Sequence, residues 1–92
     1  MKVRVVIAYD IVSDRRRNKV FKILKNFGFN VQLSVFVAEV SPRTLKKLER
    51  EVVKHLNLEE DCVHFYFLCR ECAAKTVRLG VEKVRRDEVM VL

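Results

Sequence analysis

The feature that most constrains the fold is a mostly apolar run near the start of the chain. It spans residues 3–8, is rich in β-branched side chains, and ends in Tyr9 and Asp10. Such residues favour a pleated backbone, and a nearly continuous apolar pattern is typical of a strand covered on at least one face. The run therefore predicts a central strand. Because ligands and catalytic groups often lie at the carboxyl ends of strands, Asp10 is the first candidate functional residue.

Two helices are predicted from caps and apolar stripes. Ser13 and Asp14 are both good N-cap types, and the apolar spacing after them predicts a first helix over residues 14–27, with Gly28 as its C-terminal stop. Ser41–Pro42 combines an N-cap residue with proline at the first helical position. The second helix is therefore expected to run from there to about residue 56.

The remaining apolar segments favour strands. Residues 31–40 alternate in polarity, which predicts either one long strand or two strands divided by a kink, because no turn motif divides the stretch. Residues 63–68 predict another strand after a polar loop. Residues 69–74 form either a loop or a single helical turn, and residues 76–79 are a candidate short extra strand.

This order of elements predicts an α+β sandwich with helices on one face of an antiparallel sheet, most simply a ferredoxin-like domain over residues 1–92. Residues 89–92 are wholly apolar although they end the chain. Such a terminus frays unless it is paired, so we expect residues 81–92 to form a linker and a strand that crosses to a partner protomer in a homodimer.

The charge of the chain indicates its class of partner. Nineteen Lys and Arg residues against twelve Asp and Glu give a net charge of +7, which favours a polyanion such as nucleic acid. The first apolar run is too short for a signal peptide or a membrane span. Three cysteines are too few for a secreted disulfide scaffold, so a soluble, cytoplasmic protein is expected.

A cluster of basic residues begins the first predicted helix: Arg15, Arg16, Arg17 and Lys19. Cations at a helix N-terminus oppose the macrodipole, so helix stability does not explain them. Contact with nucleic-acid phosphates explains the cluster, since Arg binds phosphate oxygens in a bidentate manner. For any single member, a solvated helix face is an equally good interpretation.

Asp10 by itself has two interpretations. Mg²⁺ prefers oxygen ligands and often takes only one or two carboxylates, so two copies of Asp10 across a dimer axis could bind it. From the residues alone, a cap on the first helix or an ion pair with Arg17 is the more economical interpretation. Similarly, Tyr9 and Phe36 could stack on bases, although aromatic residues beside a strand more often belong to the core.

The cysteines raise a zinc hypothesis that their spacing weakens. Cys69 and Cys72 form a CxxC pair, but an extended strand would place Cys62 roughly 23 Å from Cys69, too far for one tetrahedral site. His64 on a strand is more often packed or exposed than a ligand. The CxxC pair is therefore a buried thiol pair, a disulfide or a redox motif.

Four segments together resemble the Cas2 family of CRISPR-associated endoribonucleases. They are Val6-Ile7-Ala8-Tyr9-Asp10-Ile11, Arg17-Asn18-Lys19-Val20, Gly28, and Val31-Gln32-Leu33-Ser34-Val35-Phe36. The resemblance covers nearly the whole chain. It implies a homodimer of ferredoxin-like protomers in which residues 31–40 form two strands and the terminal strand crosses to the partner sheet.

The resemblance also implies a function in CRISPR adaptation. Family members are Mg²⁺-dependent endonucleases acting on single-stranded RNA or double-stranded DNA, and scaffolds for the CRISPR integrase during spacer acquisition. By position, Asp10 would be the metal-binding acid and, with Tyr9, Ser34 and Phe36, would form the catalytic set. Arg17 and Lys19 would hold the nucleic-acid backbone.

Two departures from the family pattern bear on activity: Asn30 stands where a basic residue is frequent, and Val37 where Glu is frequent. The competing functions are a metal-dependent phosphodiesterase, a non-catalytic homodimeric DNA-binding adaptor, and a plain ferredoxin-like RNA-binding module. The RNA-binding module is the weakest of the three, because this sequence lacks the aromatic RNP motif that such modules carry on their sheet.

Overall fold

A four-stranded sheet with two helices on one face forms the domain. The computed structural model describes residues 1–77 and 79–80. The elements in chain order are β1 (Val3–Asp10), α1 (Asp14–Lys25), β2 (Gly28–Gln32), β3 (Val35–Val40), α2 (Pro42–Val53), β4 (Cys62–Leu68) and α3 (Arg70–Ala74). The sheet order is β2-β3-β1-β4, and every neighbouring pair is antiparallel. The predicted ferredoxin-like α+β fold is confirmed.

The first apolar run is the central strand, as its sequence predicts. β1 pairs with β3 on one side and with β4 on the other. Alternate side chains from Val5 to Tyr9 are buried beneath the helices, whereas Ala8 and Asp10 point to the opposite, helix-free face. The two-residue period therefore decides which face each side chain of β1 occupies.

The core lies between the sheet and the two helices. It contains Val5, Ile7, Tyr9, Ile11, Val20, Leu24, Phe36, Ala38, Val40, Leu45, Leu48 and Val52. Every third or fourth residue of α1 and α2 contributes, which is the spacing that places side chains on one helix face. Burial of these apolar side chains is the main term that stabilises the domain.

Both helices begin at the caps that the sequence predicts. The Ser13 hydroxyl accepts the backbone N–H of Arg16 at 3.3 Å, and Ser41 accepts that of Thr44 at 3.2 Å. Each bond satisfies an N–H that has no partner within its helix. The helices end at Lys25 and Val53, two to three residues earlier than predicted. Phe27 and Leu56 still pack against the core, from the segments that follow the helices.

The role predicted for Gly28 is wrong. Asn26 caps α1, and Gly28 is the first residue of β2, where its φ is not positive. A Cβ on Gly28 would overlap the carbonyl oxygen of Val37 and lie 2.9 Å from the Cα of Ala38. The glycine is needed because β2 approaches the backbone of β3 closely, not because a helix stops there.

Residues 31–40 form parts of two strands, as the family resemblance implies. β2 and β3 are joined at Leu33 and Ser34, with an irregular register between Asn30 and Gln32. The side-chain amide of Asn30 donates to the carbonyl of Val35 at 2.9 Å and also to that of Gln32. These bonds replace the turn motif that the sequence lacks.

The segment after β4 differs in part from the predictions. A short helix, α3, occupies the place of the predicted loop or helical turn. Residues 76, 77 and 79 form no strand, so the short extra strand expected there is wrong as far as these positions are described. The linker and crossing strand predicted at residues 81–92 lie outside the described residues. In the part of the chain that is described, no helix is long and apolar enough to cross a membrane.

Candidate nucleic-acid and metal site

Asp10 ends β1 with an exposed side chain on the helix-free face of the sheet. Among residues 1–77 and 79–80, its carboxylate has no side-chain hydrogen bond or ion pair. Ser13 caps α1, and Arg17 pairs with Asp14. The interpretation that Asp10 serves as a cap or as the partner of Arg17 is therefore wrong, and none of the described residues occupies the carboxylate.

A groove of about 490 Å³ opens beside this carboxylate. Its lining residues are Tyr9, Asp10, Ile11, Arg17, Asn18, Phe21, Leu33 and Ser34. The Tyr9 backbone N–H donates to the Ser34 carbonyl at 3.1 Å, which ties the β2–β3 turn to the end of β1. The structure thus brings together four residues that the sequence resemblance singled out: Tyr9, Asp10, Arg17 and Ser34.

Arg17 is oriented toward this groove by two neighbours. One guanidinium nitrogen donates to the Ile11 carbonyl at 3.0 Å, and another pairs with Asp14. Asp14 is exposed in the first turn of α1, where a carboxylate also favours the helix macrodipole. A partly buried cation is therefore fixed above the loop that follows Asp10, where it can meet a phosphate oxygen.

The two predicted aromatic site residues belong to the core. Phe36 is fully buried, with its ring centroid 5.3 Å from that of Phe21 in an edge-to-face arrangement and 6.3 Å from that of Tyr9. Burial raises the pKa of the Tyr9 hydroxyl, and the charge of Arg17 partly opposes that shift. Base stacking needs an exposed ring face, so Phe36 acts on the groove only through the Tyr9 and Phe21 side chains against which it packs.

Arg16 has a structural partner that sequence reasoning missed. Its guanidinium holds the buried carboxylate of Asp61 at 2.8 and 3.1 Å and Glu60 at 3.0 Å. Asp61 also accepts the backbone N–H groups of Val12 at 3.0 Å and Asn57 at 2.9 Å. The bonds from Arg16, followed by those from the backbone, hold the pKa of Asp61 well below its usual range. Asp61 therefore fastens the loop after Asp10 to the loop before β4.

Arg15 and Lys19 face a different surface. With Ser13, Arg16, Lys54, His55 and Leu56 they line a second groove of about 430 Å³, between the start of α1 and the end of α2. Lys54 pairs with Glu51 at 3.3 Å. The basic cluster thus divides into Arg17 at the Asp10 groove, Arg16 in the Asp61 network, and Arg15 and Lys19 on an exposed basic surface.

The two departures from the family pattern have local roles here. Asn30 fastens the turn that carries Ser34, and Val37 is buried on the helix-free face, where it pairs with Phe29 across the strands. No local pattern reveals either Asn30 or Asp61 as an organising residue. The partners of Asn30 are backbone carbonyls, and Asp61 meets Arg16 across a separation of 45 residues.

The residues present fit a shared Mg²⁺ site. Within the described ranges, no group of three or more His, Cys, Asp or Glu side chains could hold a metal. Mg²⁺ usually keeps several waters and binds through one or two carboxylates. Asp10 meets that requirement when it faces a second copy of itself, and its exposed position on the helix-free face permits this.

Fold and site together define a small ferredoxin-like α+β domain with an exposed carboxylate at the end of its central strand and one arginine, Arg17, in the groove beside it. The family model for CRISPR associated protein Cas2 matches residues 1–76. The chain belongs to this family, which confirms the resemblance found in the sequence.

Two curated relatives are similar over most of their length, and both are named CRISPR-associated endoribonuclease Cas2. The protein of Chloroflexus aurantiacus is 40% identical over 95% of this chain and 94% of its own. That of Thermus thermophilus is 41% identical over 90% of this chain and 88% of its own.

Solved structures show the same fold. A hypothetical protein from Thermus thermophilus superposes with a TM-score of 0.82 at 34% identity, over 91% of this chain and 98% of its own. A chain from a partial Cas6-RT-Cas1–Cas2 complex superposes with a TM-score of 0.63 at 29% identity, over 84% of this chain and 90% of its own.

Proposed function

We propose that this chain functions in CRISPR adaptation as a homodimer that binds nucleic acid and cleaves phosphodiester bonds with Mg²⁺ held between two copies of Asp10. The observation that carries the proposal is the exposed Asp10 carboxylate on the helix-free face, which pairs with none of the described residues and lies beside Arg17 and the Ser34 turn. Relatives named endoribonucleases support the activity, and the relative within a Cas1–Cas2 complex supports a CRISPR integrase subunit as partner.

Nucleic-acid binding follows from the exposed cations. Arg17 lies at the Asp10 groove, and Arg15 and Lys19 line the separate groove between the start of α1 and the end of α2. Such side chains bind phosphates whatever the sequence and release counterions as they do so. This binding mode suits either DNA or RNA, and it requires affinity to fall as salt rises.

A homodimer is supported by the chemistry of the helix-free face. On that face Val6 and Ala8 are only half-buried, and Tyr66 beside them in β4 is 52% exposed. An apolar sheet face of this kind is well suited to pack against a second copy. Two-fold packing would bring both copies of Asp10 to one axis and complete a metal site that one chain leaves with a single acid.

Catalysis then divides between the metal and the side chains. Bound Mg²⁺ would supply neutralisation of phosphate charge and an acidified water. Arg17 would hold a nonbridging phosphate oxygen, while the Asn30-stabilised turn keeps Ser34 at the edge of the groove. Tyr9 and Phe36 would keep the end of β1 rigid, so that the carboxylate stays aimed at the axis.

The activity is tested with Asp10→Asn, which removes the charge and keeps the shape. Glu59→Gln is the matched control, because it neutralises an exposed acid in a loop outside the groove. Mg²⁺-dependent cleavage of single-stranded RNA and duplex DNA should fall on the order of 100-fold or more in Asp10→Asn only, since metal stabilisation of the transition state contributes several kcal/mol. Equal cleavage by both variants would remove the enzyme proposal.

A non-catalytic DNA-binding adaptor for the integrase is the second candidate. It is favoured by the single acid that each chain contributes to the groove, and by the structural use of Asn30 and Val37 at positions where the family often has charged residues. In that case Asp10→Asn would leave DNA binding and integrase association intact, and cleavage would be absent from every preparation. Binding that does not weaken with salt would contradict both candidates.

A further inference from the structure

The CxxC pair has no role in the proposed function, and it lies outside both grooves. Cys69 follows the last residue of β4 and is the N-cap of α3, while Cys72 lies one helical turn further on. Both thiols are exposed, which excludes the buried pair that the sequence allowed. The two side chains are therefore accessible to reagents in solution.

The backbone places the two thiols within reach of each other. The Cys72 backbone N–H donates to the Cys69 sulfur at 3.3 Å, so this sulfur lies over the first turn of α3. Residues three apart on a helix have Cα atoms roughly 5 Å apart, from the helical rise and radius. Disulfides form across Cα separations of ~4.4–6.8 Å, so the pair can close without moving the strand.

The two sulfurs also differ in character. The hydrogen bonds from Cys72, led by its backbone N–H, lower the pKa of the Cys69 thiol, whereas its own contact with Cys69 raises the pKa of the Cys72 thiol. Cys69 is thus the better nucleophile near neutral pH, and Cys72 is a resolving thiol next to it. Cys62 lies at the opposite end of β4 and takes no part in the contact between Cys69 and Cys72.

We propose that Cys69 and Cys72 form a redox-active dithiol that closes reversibly to an intrachain disulfide by exchange with low-molecular-weight disulfides. The Cys69 thiolate attacks one sulfur of the small disulfide and expels a thiolate, which leaves a mixed disulfide. Cys72 then attacks the Cys69 sulfur, which expels the second thiolate. The protein loses two electrons and two thiol protons, and the small disulfide is reduced to two thiols.

The sequence itself offers a sharp assay. Trypsin cleaves after Arg70, between the two cysteines, and yields peptides 55–70 and 71–75. The reduced protein is incubated with oxidised glutathione in the presence of EDTA, alkylated and digested. We expect the two peptides to remain joined until a reductant is added, and the protein to migrate as a single chain on a non-reducing gel.

Three serine variants identify the sulfurs involved, after circular dichroism has shown that each variant is folded. Cys62→Ser is the matched control, because peptide 55–70 also contains Cys62; it should keep the joined peptides. Cys69→Ser and Cys72→Ser should each lose them completely. The proposal is overturned if the joined peptides depend on Cys62, if the link is between two chains, or if only glutathione adducts form without ring closure.

Discussion

Phe36 provides the most decisive test of how the structure reassigns a residue of the candidate site. The resemblance makes Phe36 part of the catalytic set, whereas the structure buries its ring completely against Phe21 and Tyr9. Replacing it with leucine removes about three carbon atoms, which at ~0.8 kcal/mol per buried carbon corresponds to about 2 kcal/mol of the free energy of unfolding. The loss of the edge-to-face contact with Phe21 adds to this cost.

The matched control is the same change at an exposed position of the same sheet. Phe67 in β4 is 62% exposed, so Phe67→Leu should change the free energy of unfolding by less than about 0.5 kcal/mol. For a domain of this size, Phe36→Leu should lower Tm by roughly 8–16 °C. Protein concentration must be held constant, because the proposed dimer would make Tm depend on it.

Urea unfolding and nucleic-acid binding are measured side by side. If Phe36 is a core residue, its variant loses stability with an unchanged urea m-value, and the folded variant binds RNA and DNA as wild type does. A variant of unchanged stability that binds at least tenfold more weakly would show instead that the ring contacts the ligand.

Four further changes have defined outcomes. Asp61→Asn should lower Tm at pH 7, and its difference from wild type should shrink as the pH falls below about 4, because a carboxylate with a lowered pKa stabilises the fold only while it is ionised. Gly28→Ala should cost ~1–3 kcal/mol in urea unfolding, since β2 must move away from β3 to admit the methyl group. Lys19→Gln should reduce the salt dependence of DNA binding by about one phosphate contact, while Lys46→Gln, outside both grooves, should not. Deletion of residues 89–92 should shift sedimentation toward monomer, and an unchanged dimer would contradict the predicted strand exchange.

Local sequence patterns predict most of the fold, because the interactions that form helices and strands join residues only a few positions apart. The two serine caps act on N–H groups three positions away, and polarity periods define strand and helix faces. The same locality explains the errors. Gly28 looks like a helix stop until β3 is placed beside it, and the helix ends depend on tertiary packing.

The candidate site was predicted in part for a similar reason. The position of Asp10 at the end of a strand follows from the sequence. The sequence does not show whether its carboxylate forms an ion pair with Arg17. Whether it paired with Arg17 depended on Asp14, which competes for the same guanidinium. Arg16 looked like one more phosphate ligand because its partner Asp61 stands 45 residues away, beyond any local pattern.

The sequence by itself determined the order of the elements, the central position of the first apolar run, the basic character of the chain and the acid at the end of β1. Tertiary structure alone decided that Asp10 faces away from the helices, that Phe36 is core, and that the basic cluster is divided among three environments. The physical reason is the distance along the chain over which each interaction acts. Backbone preferences and side-chain periods act within one or two turns. Burial and charge pairing depend instead on which distant segments the fold brings into contact.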